Sequence, residues 1–302
     1  MAAAGIISVA TSLAPGLSQD IQAAAVKSWK NLGFSVMSVN AATEVEHVKR
    51  LFPDVTVIPA ARTAEKIAGK PLPLIADVLR AARDHDPNAS VIGLINSDIV
   101  LRQLPNLAPA LLREAAVTVV MLPRVDVPTL DACEHFKPAG SEKYSIGYDG
   151  VFLPPKLIPA IPESLFCIGM PFWDYWLPLM TLLQGHGLKT LASPVALHVA
   201  HDTRWDRSVY VFFHALVSDM LRVSANQKNK ESIPALGLAL DVLGHTYNDI
   251  FERATKPSDG QDSAANADVL AAFYDRIQEV VVHHIKAAAK PLLVPETAPT
   301  AS

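Results

Sequence analysis

The first 125 residues alternate between short β-rich runs and helical patterns, and this alternation constrains the fold more than any other feature of the chain. It predicts strands at 5–10, 35–39, 55–58, 91–95 and 117–122, and helices at 19–32, 44–52, 74–85 and 105–114. Strands that alternate with helices form βαβ units, which assemble into one sheet. We therefore predict an α/β fold with a mixed, mostly parallel sheet flanked by helices, and a site at the carboxyl ends of the strands.

Two local signals mark helix ends within this pattern. Thr43 and Glu46 have the spacing of a capping box, which predicts the start of the second helix. Gly33 follows the first helix and predicts its end, because glycine readily adopts the left-handed conformation that closes a helix.

The rest of the chain changes character twice. After residue 125 we predict a strand at 148–153, a helix at 171–184, a strand at 195–198, and three helices at 209–223, 233–253 and 267–289. This pattern divides the chain into an α/β part at 1–205, a helical appendage at 206–290 and a tail at 291–302. The tail is rich in Pro, Thr and Ala and is predicted to be disordered. The appendage is where we expect any homo-oligomer to form.

Composition excludes several classes of protein. Half of the residues are hydrophobic and 19% are charged, which is typical of a folded globular chain. The net charge of −4 argues against nucleic acid as the main partner. Two cysteines, Cys133 and Cys167, are too few for a disulfide scaffold or a thiolate zinc site. No apolar run is long enough to span a membrane, and no basic residue precedes the first apolar run, so we expect a cytoplasmic protein.

Three common motifs of α/β proteins are absent from the sequence. There is no Gly-x-Gly-x-x-Gly after the first strand, no Walker A sequence and no Gly-x-Ser-x-Gly nucleophile elbow. These absences argue against three classes of protein, namely Rossmann-type dinucleotide-binding proteins, P-loop nucleotide-binding proteins and α/β-hydrolases.

The most informative segment is Asn96-Ser97-Asp98, which directly follows an apolar strand. A carboxylate at the carboxyl end of a central strand is well placed to hold a hard cation. The alternative interpretation is that these residues only form a turn and bind no cation, because Asn, Ser and Asp are also common in turns.

A second segment contains His198 and His201 at a strand end. One histidine could complete a mixed carboxylate and imidazole metal site. Residues three apart on a strand and its exit need not face the same site. The alternative interpretation is that the histidine only forms a hydrogen bond at the strand end and binds no metal.

The third segment places Asp174 in the first turn of a helix, between Trp173 and Trp176. A carboxylate there is stabilised by the helix dipole, which explains it without a function. The functional interpretation makes Asp174 a general base and the two indoles, with His201, an acceptor surface. The indoles are equally compatible with the protein core.

The order of these segments resembles the glycosyltransferases of GT-A fold, which use nucleotide-sugar donors. The resemblance covers about residues 5–205 and includes Thr11 and Ser12 at the end of the first strand, and Ser28-Trp29 in the next helix. Asn96-Ser97-Asp98 is similar to the Asp-x-Asp motif of that family, with an amide in place of the first carboxylate.

The resemblance implies a role for each segment. Asp98 and His198 would bind a divalent metal, Mn²⁺ or Mg²⁺, and Asp174 would be the catalytic base of an inverting transfer. The donor, favoured to be a UDP-sugar, would contact residues at the ends of the strands, namely Thr11, Ser12, Asn40, Arg62, Asn96 and Ser97. The acceptor would be a glycan or a small molecule with a free hydroxyl.

Two other functions are compatible with the sequence. The amide at position 96 and the unfamiliar helical appendage are compatible with a catalytically silent module that binds a nucleotide sugar. A metal-dependent phosphoryl or nucleotidyl transferase is disfavoured because the chain lacks a glycine-rich phosphate loop.

Overall fold

The computed structural model describes residues 5–16, 18–201, 209–226, 244–245, 248–249 and 278–296. Its sheet contains the strands Ile6–Thr11 (β1), Ser35–Asn40 (β2), Thr56–Pro59 (β3), Ala89–Ile95 (β4), Ile99–Leu101 (β5), Val119–Val127 (β6), Tyr144–Leu153 (β7), Leu188–Leu191 (β8), Ala196–Val199 (β9) and Ala289–Leu292 (β10). The helices are Gln19–Asn31 (α1), Val45–Leu51 (α2), Glu65–Ala68 (α3), Ile75–His85 (α4), Leu107–Ala115 (α5), Leu130–Glu134 (α6), Trp173–Leu183 (α7) and Val209–Asn226 (α8). Residues 278–288 are also helical. Among the helices described, none has the length and apolar character needed to cross a membrane.

The strands lie in the order β10-β8-β6-β7-β4-β1-β2-β3. In this order β7 is antiparallel to both of its neighbours, and the other pairs are parallel. β9 continues beside the second half of β6 and pairs with the short strand β5. The predicted mixed, mostly parallel sheet is confirmed.

The sheet is covered by helices on both faces because its side chains alternate between two cores. In β1, Val9 points into a core shared with α1, α2 and α5, whereas Ala10 points into a core shared with α4, α7 and α8. Trp29 of α1 is fully buried in the first core. Its indole N–H donates to the carbonyl of Ile99, which fastens α1 to β5. This contact fixes the start of β5 directly after the Asn96–Asp98 turn.

Strand β6 changes partner along its length. Its first half pairs with β8, its second half pairs with β9, and its register with β7 shifts at Pro123. Proline has no N–H for a ladder bond and is therefore typical of such irregular positions. The change in partner brings Arg124 and Asp126 beside β9, at the carboxyl edge of the sheet.

The described part of the C-terminal region is continuous with the main fold. Phe212 and Phe213 of α8 pack on the aromatic side chains of Phe166 and Phe172. Ile285, in the helical residues 278–288, is fully buried in the same core. The predicted helix at 233–253 and the first part of that at 267–289 lie outside the described residues, apart from 244–245 and 248–249.

The predicted disordered tail is wrong for residues 291–296. Strand β10 adds to the sheet beside β8, a pairing between segments about a hundred residues apart. Val294 is buried, and its N–H and C=O both form hydrogen bonds with the Ser193 hydroxyl. Glu296 forms a salt bridge with Arg102. These contacts order a segment whose composition alone suggests disorder.

One of the two predicted helix-end signals is present. Gly33 has φ of 80° and its N–H donates to the carbonyl of Lys30, as expected for a glycine that ends a helix. The predicted capping box is not formed, because α2 begins after Glu44 rather than Thr43 and has no side-chain cap.

Candidate metal centre and active site

A cluster of charged side chains lies at the carboxyl edge of the sheet. β4, β6 and β9 end there, and β7 runs the opposite way, so the first half of β7 lies at the same edge. The cluster comprises Asp98, Arg124, Asp126, Asp149, Asp174, His198 and His201.

Asp98 and two imidazoles form the outer part of the cluster. The Asp98 Oδ2 atom lies 3.4 Å from Nε2 of His198 and 3.6 Å from Nε2 of His201. The three ligand atoms all lie within 4.8 Å of one another. The β5–β9 pairing explains this closeness, because it places Ile99 opposite His198 and so brings the preceding Asp98 to the end of β9. His201, predicted as an acceptor contact, lies with the candidate metal ligands.

Asp126 fixes the orientation of the buried histidine. His198 lies opposite Asp126 in the β6–β9 register, and its Nδ1 atom is 2.8 Å from Asp126 Oδ1. An ionised carboxylate only accepts hydrogen bonds, so His198 donates through Nδ1–H. In the neutral ring the Nε2 lone pair then faces Asp98. A carboxylate that fixes the ring through its other nitrogen is typical of metal-bound histidines.

The donor set fits a divalent cation. Two imidazole nitrogens and a carboxylate oxygen suit Mn²⁺ or Zn²⁺ better than purely oxygen-loving ions. The separations of 3.4 and 3.6 Å match neighbouring ligand atoms that each lie about 2.1 Å from one ion. Without a cation or a proton between them, the Nε2 lone pairs and the Asp98 oxygen repel one another.

The surroundings of Asp98 favour its ionised form. Burial alone would raise its pKa. When a proton rather than a cation lies between the imidazoles and Asp98, the hydrogen bonds that His198 and His201 donate outweigh burial and hold the pKa of Asp98 well below its usual range. Asp98 is therefore a carboxylate at neutral pH, as a metal ligand must be.

Arg124 and Asp149 connect the outer part of the cluster to its interior. The Arg124 guanidinium lies 3.0 Å from Asp126 Oδ1 through Nε and 2.9 Å from Asp149 Oδ2 through Nη1. Asp149 is 5% exposed, and its Oδ1 accepts a hydrogen bond from the Asn96 side chain at 2.5 Å. The charged cluster is thus continuous from the Asp98 side to β7.

Asp174 lies at the inner end of the cluster, in the first turn of α7. Its Oδ2 atom accepts a hydrogen bond from the Tyr148 backbone N–H at 3.2 Å. The preceding Gly147 has φ of 115°, and a Cβ built on it would overlap the Asp174 carboxylate. Phe172, just before the helix, also adopts a left-handed conformation, with φ of 76°. Two unusual backbone conformations therefore determine where this carboxylate lies.

The pKa of Asp174 moves in the opposite direction from that of Asp98. Burial is the largest cause, the negative charge of Asp149 is the second, and together they raise the pKa of Asp174 to about 7. A carboxyl group that titrates near neutral pH can accept a proton and release it during a reaction cycle.

The two indoles predicted as an acceptor surface belong to the core. Trp173 is 2% exposed and Trp176 is fully buried. The Trp176 ring stacks on Phe166, and its N–H donates to Asp219 of α8 at 3.0 Å. Neither indole has a face for an acceptor, and that part of the prediction is wrong because every residue of α7 except Asp174 is buried.

Two of the predicted nucleotide contacts are internal to the protein. Asn40 is fully buried, and its side-chain amide donates to the carbonyl of Leu13 at 2.7 Å while its oxygen accepts from Ser38. Thr11 is also fully buried. Asn40 instead holds the loop after β1, which leaves Ser12 partly exposed at the edge of the sheet.

Arg62 is engaged elsewhere. Its guanidinium forms a paired hydrogen bond with Asp77 at 2.7 and 2.9 Å and contacts Glu163. Those partners raise its pKa further above its already high value. Ser97, by contrast, is partly exposed beside Asp98.

Sequence reasoning missed Arg124, Asp126 and Asp149. A local signal existed for the first two, because Arg124-Val125-Asp126-Val127 alternates polar and apolar residues and so predicts two charged side chains on one face of a strand. Asp149 had no comparable signal, since its partners lie 25 and 53 positions away along the chain.

No protein-family model matches the chain. No curated protein matches it either. Several solved structures are similar to it over much of its length. A mannosyltransferase from Pyrobaculum calidifontis, in complex with GDP-Man and Mn²⁺, is 14% identical, with a TM-score of 0.47 over 93% of this chain and 85% of that one.

Two further similar structures come from a bacterium and a virus. The 4-diphosphocytidyl-2C-methyl-D-erythritol synthase of Anaerococcus prevotii is 11% identical, with a TM-score of 0.39 over 71% of this chain and 97% of that one. A glycosyltransferase involved in glycosylation of the major capsid of PBCV-1 is 9% identical, with a TM-score of 0.26 over 51% and 63%.

Proposed function

We propose that this protein is a metal-dependent glycosyltransferase that moves a sugar from a nucleoside-diphosphate sugar to an acceptor hydroxyl. One observation supports this function above all others. A carboxylate and two imidazoles suited to a divalent cation lie at the same sheet edge as Asp174, a partly buried carboxyl group with a raised pKa. Asp126, Arg124 and Asp149 connect the two.

Asp98, His198 and His201 would hold the cation, and of the two cations that the resemblance implies, their imidazole nitrogens favour Mn²⁺ over Mg²⁺. When bound, a divalent cation stabilises the negative charge that accumulates on a departing diphosphate. The charge of the cluster supports this role. Four aspartates surround one arginine, and such a cluster repels a diphosphate unless a cation is present.

Asp174 would act as the general base. Its carboxylate accepts the proton of the acceptor hydroxyl while the acceptor oxygen bonds to the anomeric carbon and the bond from that carbon to the diphosphate oxygen breaks. The Tyr148 N–H orients the carboxylate, and the raised pKa makes it a stronger base than an exposed aspartate. Direct attack of this kind inverts the configuration at the anomeric carbon.

The donor nucleotide would lie over the carboxyl ends of β1 and β4. Ser12 and Ser97 are two of the predicted contacts that are partly exposed there, and we favour a UDP-sugar as the donor. The acceptor would be a glycan or a small molecule that presents a hydroxyl near Asp174.

Release of nucleoside diphosphate tests this function. The protein is incubated with Mn²⁺ and each of a panel of nucleotide sugars, and both the freed nucleoside diphosphate and the sugar product are quantified. We expect release with at least one donor, loss of release with EDTA, and loss of release in the Asp98→Ala variant. A silent binding module would instead raise the melting temperature with a nucleotide sugar and release nothing.

A further inference from the structure

Asn96 occupies the position where the resembling family usually has the first carboxylate of its acidic motif. In the sequence, this amide replaces an acidic residue and is compatible with a catalytically silent module. The structure gives it a different role, because its side chain is directed to Asp149 on β7, 53 positions away along the chain.

The contact between these two residues is double. The Asn96 side-chain amide donates to Asp149 Oδ1 at 2.5 Å, and the Asn96 backbone N–H donates to the Asp149 carbonyl at 2.9 Å. The other oxygen of the Asp149 side chain accepts from Arg124 at 2.9 Å. Each oxygen of this buried carboxylate therefore has a donor, as a buried charge requires.

We propose that Asp149 is a positioning residue that holds the Asn96–Asp98 turn through Asn96, and that this role requires an amide rather than a carboxylate at position 96. The turn carries Asp98, so its placement sets the distance between Asp98 and the two histidines. The proposal refines the proposed function, since it concerns how the metal ligand is held.

A carboxylate at position 96 would replace the hydrogen bond to Asp149 with a repulsive contact. It has no N–H to donate, and its oxygens would face the Asp149 oxygen across a distance at which the amide now forms a hydrogen bond. Asp149 is buried and position 96 is partly buried, so two ionised carboxylates at that separation would repel each other strongly. Moving the amide to position 149 restores one donor and one acceptor across the same contact.

Three variants test the proposal without any sugar substrate, namely Asn96→Asp, Asp149→Asn and the double exchange Asn96→Asp/Asp149→Asn. Asn88→Asp is the control, because it adds the same charge at the opposite end of β4 on an exposed residue. The melting temperature of the metal-free protein and the affinity for Mn²⁺ alone, measured by electron paramagnetic resonance, are the two readouts.

We expect Asn96→Asp to lower the melting temperature and to weaken Mn²⁺ binding by about 10–100-fold, the usual effect of disturbing the support of a metal ligand. The double exchange should recover most of both losses, and Asn88→Asp should change neither. Tighter Mn²⁺ binding by Asn96→Asp would overturn the proposal, because it would mean that the amide is only a missing ligand. Additive losses in the double exchange would overturn it as well. Both results are independent of whether the protein transfers sugar.

Discussion

Asp98 and Asp174 belong to one cluster at the carboxyl edge of the sheet, but the structure surrounds them in opposite ways. Asp98 faces two imidazoles, whose interactions hold its pKa below the usual range. Asp174 lies among buried groups near another aspartate, and its pKa is raised to about 7. Under the proposed function, the environment rather than the residue type makes one aspartate a metal ligand and the other a base.

Replacing Asp174 is expected to have the largest effect. Asp174→Asn keeps the size of the side chain but cannot accept a proton, so turnover should fall by about 10²–10⁴-fold while Mn²⁺ binding is retained. Steady-state transfer assays and a melting curve measure the two properties together. Asp20→Asn, which changes an exposed carboxylate in the first turn of α1, is the control. Near-normal transfer by Asp174→Asn would leave this residue as a helix-start carboxylate only.

Substitution of a proposed metal ligand should have the second largest effect. Asp98→Ala is expected to weaken Mn²⁺ binding by more than the roughly 10–100-fold that follows loss of a supporting residue. His198→Ala should weaken it more than His201→Ala, because His198 is buried and oriented by Asp126 whereas His201 is 56% exposed. Calorimetric titration with Mn²⁺ gives the order. A stronger effect of His201→Ala would exchange the roles of the two histidines.

A substitution at Gly147 tests whether the position of the Asp174 carboxylate matters, without changing Asp174 itself. Gly147→Ala places a methyl group against the Asp174 carboxylate and should lower turnover by up to about 10²-fold, because small displacements of a catalytic group are costly. Gly140→Ala is the matched control, since Gly140 also has a positive φ, of 78°, but has open space where the methyl group would lie.

Both glycine variants should lose about 1–2 kcal/mol of unfolding free energy from the left-handed backbone. Only Gly147→Ala should lose turnover beyond what its stability explains. Equal turnover in the two variants would argue that the position of Asp174 is unimportant.

The dependence on pH should differ between rate and stability. Asp174 accepts a proton only when ionised, so turnover should fall by about tenfold for each pH unit below its pKa of about 7. Stability follows the opposite sign. Because folding raises this pKa, the folded state retains its proton more tightly, and that stabilisation is present at low pH and lost as the pH rises through about 7.

Asp174→Asn separates these two effects. The amide is neutral at every pH. The melting temperature of the variant, measured relative to that of the wild type, should therefore rise between pH 5 and pH 8. A constant difference over this range would mean that Asp174 does not titrate there.

The sequence predicted those parts of the molecule that local pattern determines. The strands of the α/β part were recognisable because β-branched runs alternate with helices, and Asp98 and His198 could be placed from their strand ends. Both residues lie in short segments whose order along the chain was recognisable, and their prediction depended on that order.

The parts that sequence analysis predicted incorrectly or missed depend on contacts between distant segments. Residues 291 and 292 belong to the sheet only because β8 offers an edge, and residues 293–296 follow with contacts to Ser193 and Arg102. Trp173 and Trp176 are core residues because α8 and Phe166 enclose α7. A signal for their burial was present, since a helix that is apolar on all sides is usually buried. The link from Asn96 to Asp149 had no signal in the local sequence.

We propose above that metal binding and proton acceptance reside in different carboxylates of one site. Mn²⁺ affinity and sugar transfer, measured on the same preparations of wild type, Asp98→Ala and Asp174→Asn, test it most directly. We expect Asp98→Ala to lose both properties, whereas Asp174→Asn should retain Mn²⁺ affinity and lose transfer. Loss of Mn²⁺ affinity in Asp174→Asn, or retained metal-dependent transfer in Asp98→Ala, would contradict it.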